Sequence, residues 1–144
     1  MTEIEVRIRE FRFPEDYAAV YELWEHSGPG IHLRRSDEPG EIEKKLERDP
    51  DLFLVAEIGD RLVGSVIGGY DGRRGMMYHL AVDMELRSRG IGQRLTDELE
   101  KQLRKKGCIR YYLLVDADNH TAISFYENHG WNSLPLMIYA KDLE

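Results

Sequence analysis

The stretch His79–Leu95, HLAVDMELRSRGIGQRL, decides the reading of this chain. It begins as a strand, passes through a short loop and enters a helix at paired glycines, so loop N–H groups and the helix dipole converge on one concavity. A helix start carries partial positive charge and ordinarily attracts Asp or Glu. Here Arg87, Arg89 and Arg94 surround it instead. An anion resolves the conflict: Gly90 and Gly92 admit an oxygen close to the backbone, and a diphosphate fits the arginines. The bland alternative is a solvated arginine cluster beside an ordinary glycine turn, its repulsion partly offset by Asp83 and Glu85.

Working outward, Ile91, Leu95, Leu99 and Leu103 recur every fourth residue up to Gly107, which predicts one long helix with a single apolar stripe. YYLLVDA (111–117) follows as a buried strand, so a strand, crossover helix, strand unit is expected. NHTAISFYENHG (119–130) predicts a helix with Asn119 as N-cap and Gly130 past its end. Pro135 opens a last predicted strand, LMIYAKDL.

On the N-terminal side, Ile4, Val6 and Ile8 alternate with charged residues as an opening strand. A helix is predicted from Pro14 to about His26, carried by Tyr17, Val20, Tyr21 and Trp24 and stopped by SGPG, with a second from about Pro39 through Leu46. LFLVAEI and RLVGSVIGGY, separated by Gly59 and Asp60, predict a hairpin, and Asp71–Gly72 turns the chain into MMYHLAVDM as another. The resulting class is α+β, a mixed, mainly antiparallel central sheet flanked by helices. Residues 1–144 read as a single domain.

The chain has 144 residues, 42% hydrophobic and 33% charged, with a net charge of −7. That balance suits a globular domain and disfavours nucleic acid and acidic membrane surfaces as partners. No stretch approaches the apolar length of a membrane span, and a cytoplasmic location is expected. The single cysteine, Cys108, reads as a small buried residue, and His26, His32, His120 and His129 lack metal-ligand spacing, so no metal is expected. A Walker loop, GxxxxGK[ST], is absent. The three glycines and following acidic residue of a dinucleotide fingerprint are absent too.

Arg87, Gly90 and Gly92 match the Q/R-x-x-G-x-G/A signature at the start of the longest helix in the GNAT superfamily of acyl-coenzyme A N-acyltransferases. LAV before the signature, NHTAISFYENHGW after it and the order of elements also resemble that family. LFLVAEIGDRLVGSVIGGYDGRRG and LEKQLRKKGC are similar to its bacterial YpeA-like subgroup. The resemblance implies a fourth and fifth strand that splay apart and a cosubstrate, acetyl-CoA. Backbone amides of Arg87, Ser88, Arg89, Gly90, Ile91, Gly92 and Gln93 would hold its pyrophosphate. Leu80, Ala81 and Val82 would pair with the pantetheine arm, the Val82 N–H would stabilise the oxyanion, a role worth about 3 kcal/mol in other enzymes, and Asn119 would reach the cofactor from the other side.

Tyr126 occupies the position where the family commonly has its general acid, its alternative being a core aromatic on the face of Ala122, Phe125 and His129. A phenol of pKa about 10 donating to a thiolate of pKa about 8.5 is uphill by about 2 kcal/mol, within reach of a preorganised hydrogen bond. Relatives often carry Glu or His on the acceptor face of the fourth strand, where this chain has Met76 and Tyr78. Strict alternation turns His79 to the other face as a packed histidine unless a bulge intervenes, which leaves the base unassigned. Deprotonating a lysine of pKa about 10.4 at pH 7.4 costs about 4 kcal/mol, against under about 1 kcal/mol for an α-amine near 7.8. The expected partner is therefore a small-molecule low-pKa amine or a peptide or protein N-terminus, with a homodimer permitted. Trp24, Ile31, Leu33, Tyr70 and Tyr78 are the candidate acceptor contacts. The expected activity is acetyl transfer by direct attack, and the alternative is a non-catalytic acyl-CoA-binding regulatory module.

Overall fold

In the computed structural model, which describes residues 5–144, the chain divides into two compact units, one ending at Leu114 and the other Val115–Glu144. Ile4 of the opening alternation lies outside the described residues. The first unit runs β1 (Arg7–Glu10), α1 (Tyr17–Glu25), a single 3-10 turn at Arg35–Asp37, α2 (Pro39–Arg48), β2 (Phe53–Ile58), β3 (Arg61–Tyr70), β4 (Gly75–Val82), α3 (Ile91–Lys105) and β5 (Tyr111–Leu113). Its five strands form one sheet in sequence order; β4 and β5 are parallel and the other neighbours antiparallel.

Local chemistry closes the hairpins. Gly59 turns β2 into β3 with φ +61°, and Gly72 turns β3 into β4 with φ +99°. At the second turn the Asp71 carboxylate accepts from the backbone N–H groups of Arg73 and Arg74, each at 2.8 Å, an Asx arrangement that fixes the turn.

One face of the sheet receives α3. Leu95, Leu99 and Leu103 are buried along its stripe, and the helix seats so closely on β3 that a Cβ at Gly68 would collide with Leu99 Cδ1, and one at Gly64 would lie 2.9 Å from Leu95 Cδ1. Small residues on the strand therefore set the depth of the helix. The opposite face carries a second core in which Phe11, Val20, Trp24, Ile42, Phe53, Val55, Ile67 and Ala81 are buried. Phe11 stacks on Phe53 at 4.1 Å between ring centroids. Asp16, at the start of α1, accepts two hydrogen bonds from Arg9, at 2.8 and 3.1 Å, and one from the Arg12 backbone N–H at 2.8 Å. Burial alone would raise the Asp16 carboxyl, but these donors outweigh it and hold it below the usual carboxylate range,.

Two irregularities of β4 shape the site. Ser65 pairs with Ala81 and Ile67 with Tyr78, so His79 and Leu80 together oppose Val66 in a bulge,. His79 takes up the extra residue with φ +47°. The ladder to β5 ends at Met77↔Leu113, while β4 continues through Val82. Among the described residues that last stretch has no ladder partner on the β5 side.

In the second unit α4 (His120–Asn128) starts as expected: Asn119 Oδ1 accepts from the Ala122 N–H at 3.2 Å, and Gly130 follows the helix with φ +91°. The last expected strand does not form. Leu136–Leu143 contains no strand, and its start is folded back by a hydrogen bond from the Leu136 N–H to the Leu134 carbonyl at 2.8 Å. Pro135 has no N–H to give, and an alternating apolar pattern becomes a strand only beside a ladder partner.

Candidate functional site

Between β4 and α3 the backbone changes hand twice, with Ser88 at φ +66° and Gly90 at φ +82°. Left-handed residues between ordinary ones turn successive N–H groups to one side, the geometry of an anion nest. Gly90 is the N-cap of α3 and offers no side-chain acceptor, and the first turn holds no acidic residue. Helix geometry leaves the first N–H groups of α3 without intrahelical acceptors; Arg94 N–H, at 3.0 Å from the Gly90 carbonyl, is already inside the ladder. The space in which a Gly90 Cβ would stand is open.

The arginines divide their work. Arg87 Nη2 donates to the Ser27 carbonyl at 2.7 Å and its Nε to the Val82 carbonyl at 3.4 Å, tying the loop to the end of α1 and to β4. Arg89 and Arg94 are exposed, and among the described residues neither has an ion-pair partner. Asp83 cannot neutralise them: Arg61 pairs with its carboxylate, which also accepts from the Glu85 N–H at 3.0 Å. Gln93 Nε2 donates to Asp97 at the next turn of the helix.

The free edge of β4 opens beside this loop. The Asp83 N–H donates to the Val63 carbonyl at 2.8 Å, so by alternation the Ala81 N–H also faces β3, whereas those of Leu80 and Val82 point away from it to the unpaired edge. Ala81 itself is a core residue, 2% exposed. Two of the three residues expected along the pantetheine arm thus present backbone groups outward.

On the α1 face the bulge overrides alternation. His79 does not pack on the α3 side. Its Nε2 lies 2.8 Å from Asp37 Oδ1, and its ring meets the Trp24 ring edge to face at 5.0 Å. Asp37, which closes the 3-10 turn after α1, is held at every oxygen: Oδ2 accepts from the Arg34 N–H at 3.0 Å and the carbonyl accepts from Tyr17 Oη at 2.7 Å. Burial would push the Asp37 carboxyl up, yet the hydrogen bonds from His79 and the Arg34 backbone keep it below its ordinary value, so it is a carboxylate at neutral pH. The His79 side chain remains 18% exposed while that of Asp37 is 8%.

The expected acceptor contacts separate. Trp24 is buried, its Nε1 donating to Ser65 Oγ at 3.2 Å, so it supports His79 from the core. Ile31 and Leu33 are half-buried against that core. Tyr78, beside the bulge, is 44% exposed. Tyr70 is not brought to this place: it pairs with Gly75 at the far end of the β3–β4 hairpin from Gly64↔Val82, and its carbonyl accepts from Arg48 at 2.8 Å.

In the second unit Asn119 uses its side-chain oxygen to cap α4. Tyr126 is packed between Phe125 and Trp131, at 5.4 and 5.8 Å between centroids. Burial pushes its hydroxyl up to about 12, which makes it a weaker acid than the free phenol of the sequence argument and demands more from the hydrogen bond that would assist it.

His79 and Asp37 are the residues sequence reasoning did not assemble. They stand 42 positions apart, and the one signal was that a bulge would reverse the face of His79. With the geometry described, comparison with known proteins is informative. Residues 17–131 match the sequence pattern of the acetyltransferase (GNAT) family. An acetyltransferase of Pectobacterium atrosepticum is 43% identical over 139 residues, covering 96% of both chains. The crystal structure of Ard1 from Thermoplasma volcanium superposes with a TM-score of 0.75 at 28% identity, over 87% of this chain and 81% of that one. PaiA N-acetyltransferase from Thermoplasma acidophilum, solved with coenzyme A, shares the fold with a TM-score of 0.78 at 23% identity, over 93% and 94%. Family pattern, relative and fold converge with the glycine-rich helix start and the free strand edge: this chain is a member of the GNAT acetyltransferase family.

Proposed function

We propose that this enzyme moves the acetyl group of acetyl-CoA to a primary amine by direct attack, without a covalent enzyme intermediate. One observation carries the reading: the uncapped start of α3, flanked by left-handed Ser88 and Gly90, opens beside the unpaired edge of β4. The chain's own groups suit a diphosphate there. N–H groups from Arg87 to Gln93 bind it, exposed Arg89 and Arg94 add charge, and Leu80 and Val82 offer backbone partners to an extended amide chain. The Val82 N–H then donates to the thioester oxygen as negative charge develops, a contribution of about 3 kcal/mol where such donors have been removed elsewhere.

Tyr126 is the proton donor to the departing thiolate in this reading, carried over from the family pattern, and Asn119 is a further cofactor contact. On the acceptor side Ile31, Leu33 and Tyr78 border the substrate, and Trp24 backs that side from the core. The favoured acceptor is an α-amino group or a small low-pKa amine, because at pH 7.4 its neutral form is reached for under about 1 kcal/mol against about 4 for lysine. A cytoplasmic enzyme of the YpeA-like subgroup fits this assignment. No helix among the described residues is long and apolar enough to cross a membrane.

The test is thiol release from acetyl-CoA in a panel of amino acids, polyamines, small amines and peptides with free or blocked termini. Amine-dependent release, with acetylated product identified by mass, supports the proposal. Acetyl-CoA binding with no release for any amine would leave only the regulatory-module alternative.

A further inference from the structure

We infer that His79 is the proton acceptor for the attacking amine and that Asp37 is its positioning residue. This rests on the acetyl-transfer reading but concerns residues that neither the family signature nor strand alternation assigns. The Asp37 carboxylate can only accept at the 2.8 Å contact with Nε2, so Nε2 carries the ring proton and the neutral ring has its lone pair on Nδ1. Among the described residues nothing hydrogen-bonds Nδ1. Trp24 holds one flank of the ring, the Arg34 N–H and the Tyr17 hydroxyl immobilise Asp37, and the bulge sets the imidazole at the start of the unpaired edge of β4. A histidine merely filling the core would need none of this support.

The chemistry balances without another reactant. An ammonium acceptor gives one proton to Nδ1. The freed nitrogen lone pair forms the C–N bond with the thioester carbon, and the C–S bond breaks with its electron pair leaving on sulfur. The amide nitrogen loses a second proton as the thiolate gains one, and the His79 proton passes to solvent through the exposed part of the ring.

The charged group that touches the ring is Asp37; Arg34 and Glu38 flank Asp37 in sequence on the same turn, and Tyr17 from α1 reaches the Asp37 carbonyl. Removing the carboxylate should release the ring from its single tautomer. The first test is nitrogen–proton NMR of uniformly ¹⁵N-labelled protein, with the His79 signals assigned by their loss in His79→Gln. Wild type should show Nε2 protonated and Nδ1 bare at alkaline pH, with this preference lost in Asp37→Asn. An Nδ1–H tautomer, or a ring that stays cationic to pH 9, overturns the proposal whatever the acceptor.

The second test is steady-state thiol release with a peptide bearing a free α-amine and blocked lysines. His79→Gln should lower kcat about a hundredfold with the KM for acetyl-CoA unchanged, and the remaining rate should rise with pH only as the acceptor amine itself loses its proton. Asp37→Asn should lower kcat about tenfold with the KM for acetyl-CoA unchanged, alongside the lost tautomer preference read by NMR. Unchanged kcat in His79→Gln would overturn the assignment. Absence of release from wild type would instead count against the acetyl-transfer reading, and the NMR result would stand by itself.

Discussion

The two sides of β4 are built from different materials. At its end and into α3 the site consists of backbone: Ser88 and Gly90 in left-handed conformations and a helix start with no side-chain cap. On the α1 face, a few residues earlier, the site consists of side chains that hold one another, His79 on Asp37 and against Trp24. Backbone donors recognise an anion and tolerate most side-chain changes, but not a change of φ or a new negative charge. A hydrogen-bonded side-chain pair transfers a proton and fails when one atom is exchanged. In the proposed reading the first region retains the cofactor and the second carries the chemistry, and each half can be broken separately.

The largest effect on chemistry outside that pair is expected at Tyr126. Tyr126→Phe keeps the ring between Phe125 and Trp131 and removes the hydroxyl, so turnover should fall about a hundredfold with acetyl-CoA affinity unaltered. Equal turnover, where chemistry limits the rate, would return Tyr126 to the core. Next, a peptide with a free α-amine and blocked lysines should outpace an N-acetylated peptide with one free lysine by more than about tenfold at pH 6.5. The gap should narrow towards pH 9.5 as lysine yields its proton. A lysine peptide that matches the α-amine near neutrality would refute the acceptor preference.

Stability sharpens the comparison because both regions hang on the same sheet. Asp16→Asn leaves Arg9, whose side chain is 14% exposed, short of a carboxylate, and should cost about 3 kcal/mol, read by urea denaturation at pH 7. The folded Asp16 and Asp37 carboxyls lie below their ordinary values. Their contribution is therefore complete above about pH 5, where the unfolded groups are ionised, and disappears as pH falls through the lower folded values. Acid should narrow the difference between wild type and Asp16→Asn, and a constant difference from pH 7 to pH 2 would contradict this linkage. The smallest effect should come from Gly68→Ala, whose methyl group would run into the Leu99 side chain and cost about 1–3 kcal/mol by overpacking. An unchanged melting temperature would show that α3 shifts freely.

What could be read from sequence divides along the same line. The α3 stripe, the hairpin turns, the Asn119 cap and the glycine-rich helix start are local, each written within a few consecutive residues, and they were legible. The bulge at His79 exists only because Ala81 and Tyr78 take partners on β3 out of step, a property of two strands together. Asp37 reaches His79 through the fold, and the sequence pattern of Tyr70 suits the acceptor side although the register puts it at the far end of its hairpin. Leu136–Leu143 has a strand pattern, but no ladder partner makes it a strand. Pattern describes what a segment can do, and pairing decides whether it does.

The division of labour meets its most direct test in one calorimetric series, with acetyl-CoA titrated into wild type, Gly90→Glu and His79→Gln after each variant is shown to be folded. Wild type and His79→Gln should bind with the same affinity. Gly90→Glu, which puts a side chain at φ +82° and a carboxylate into the nest, should lose binding by more than about a hundredfold. Equal affinity in folded Gly90→Glu, or lost affinity in His79→Gln, would contradict the account.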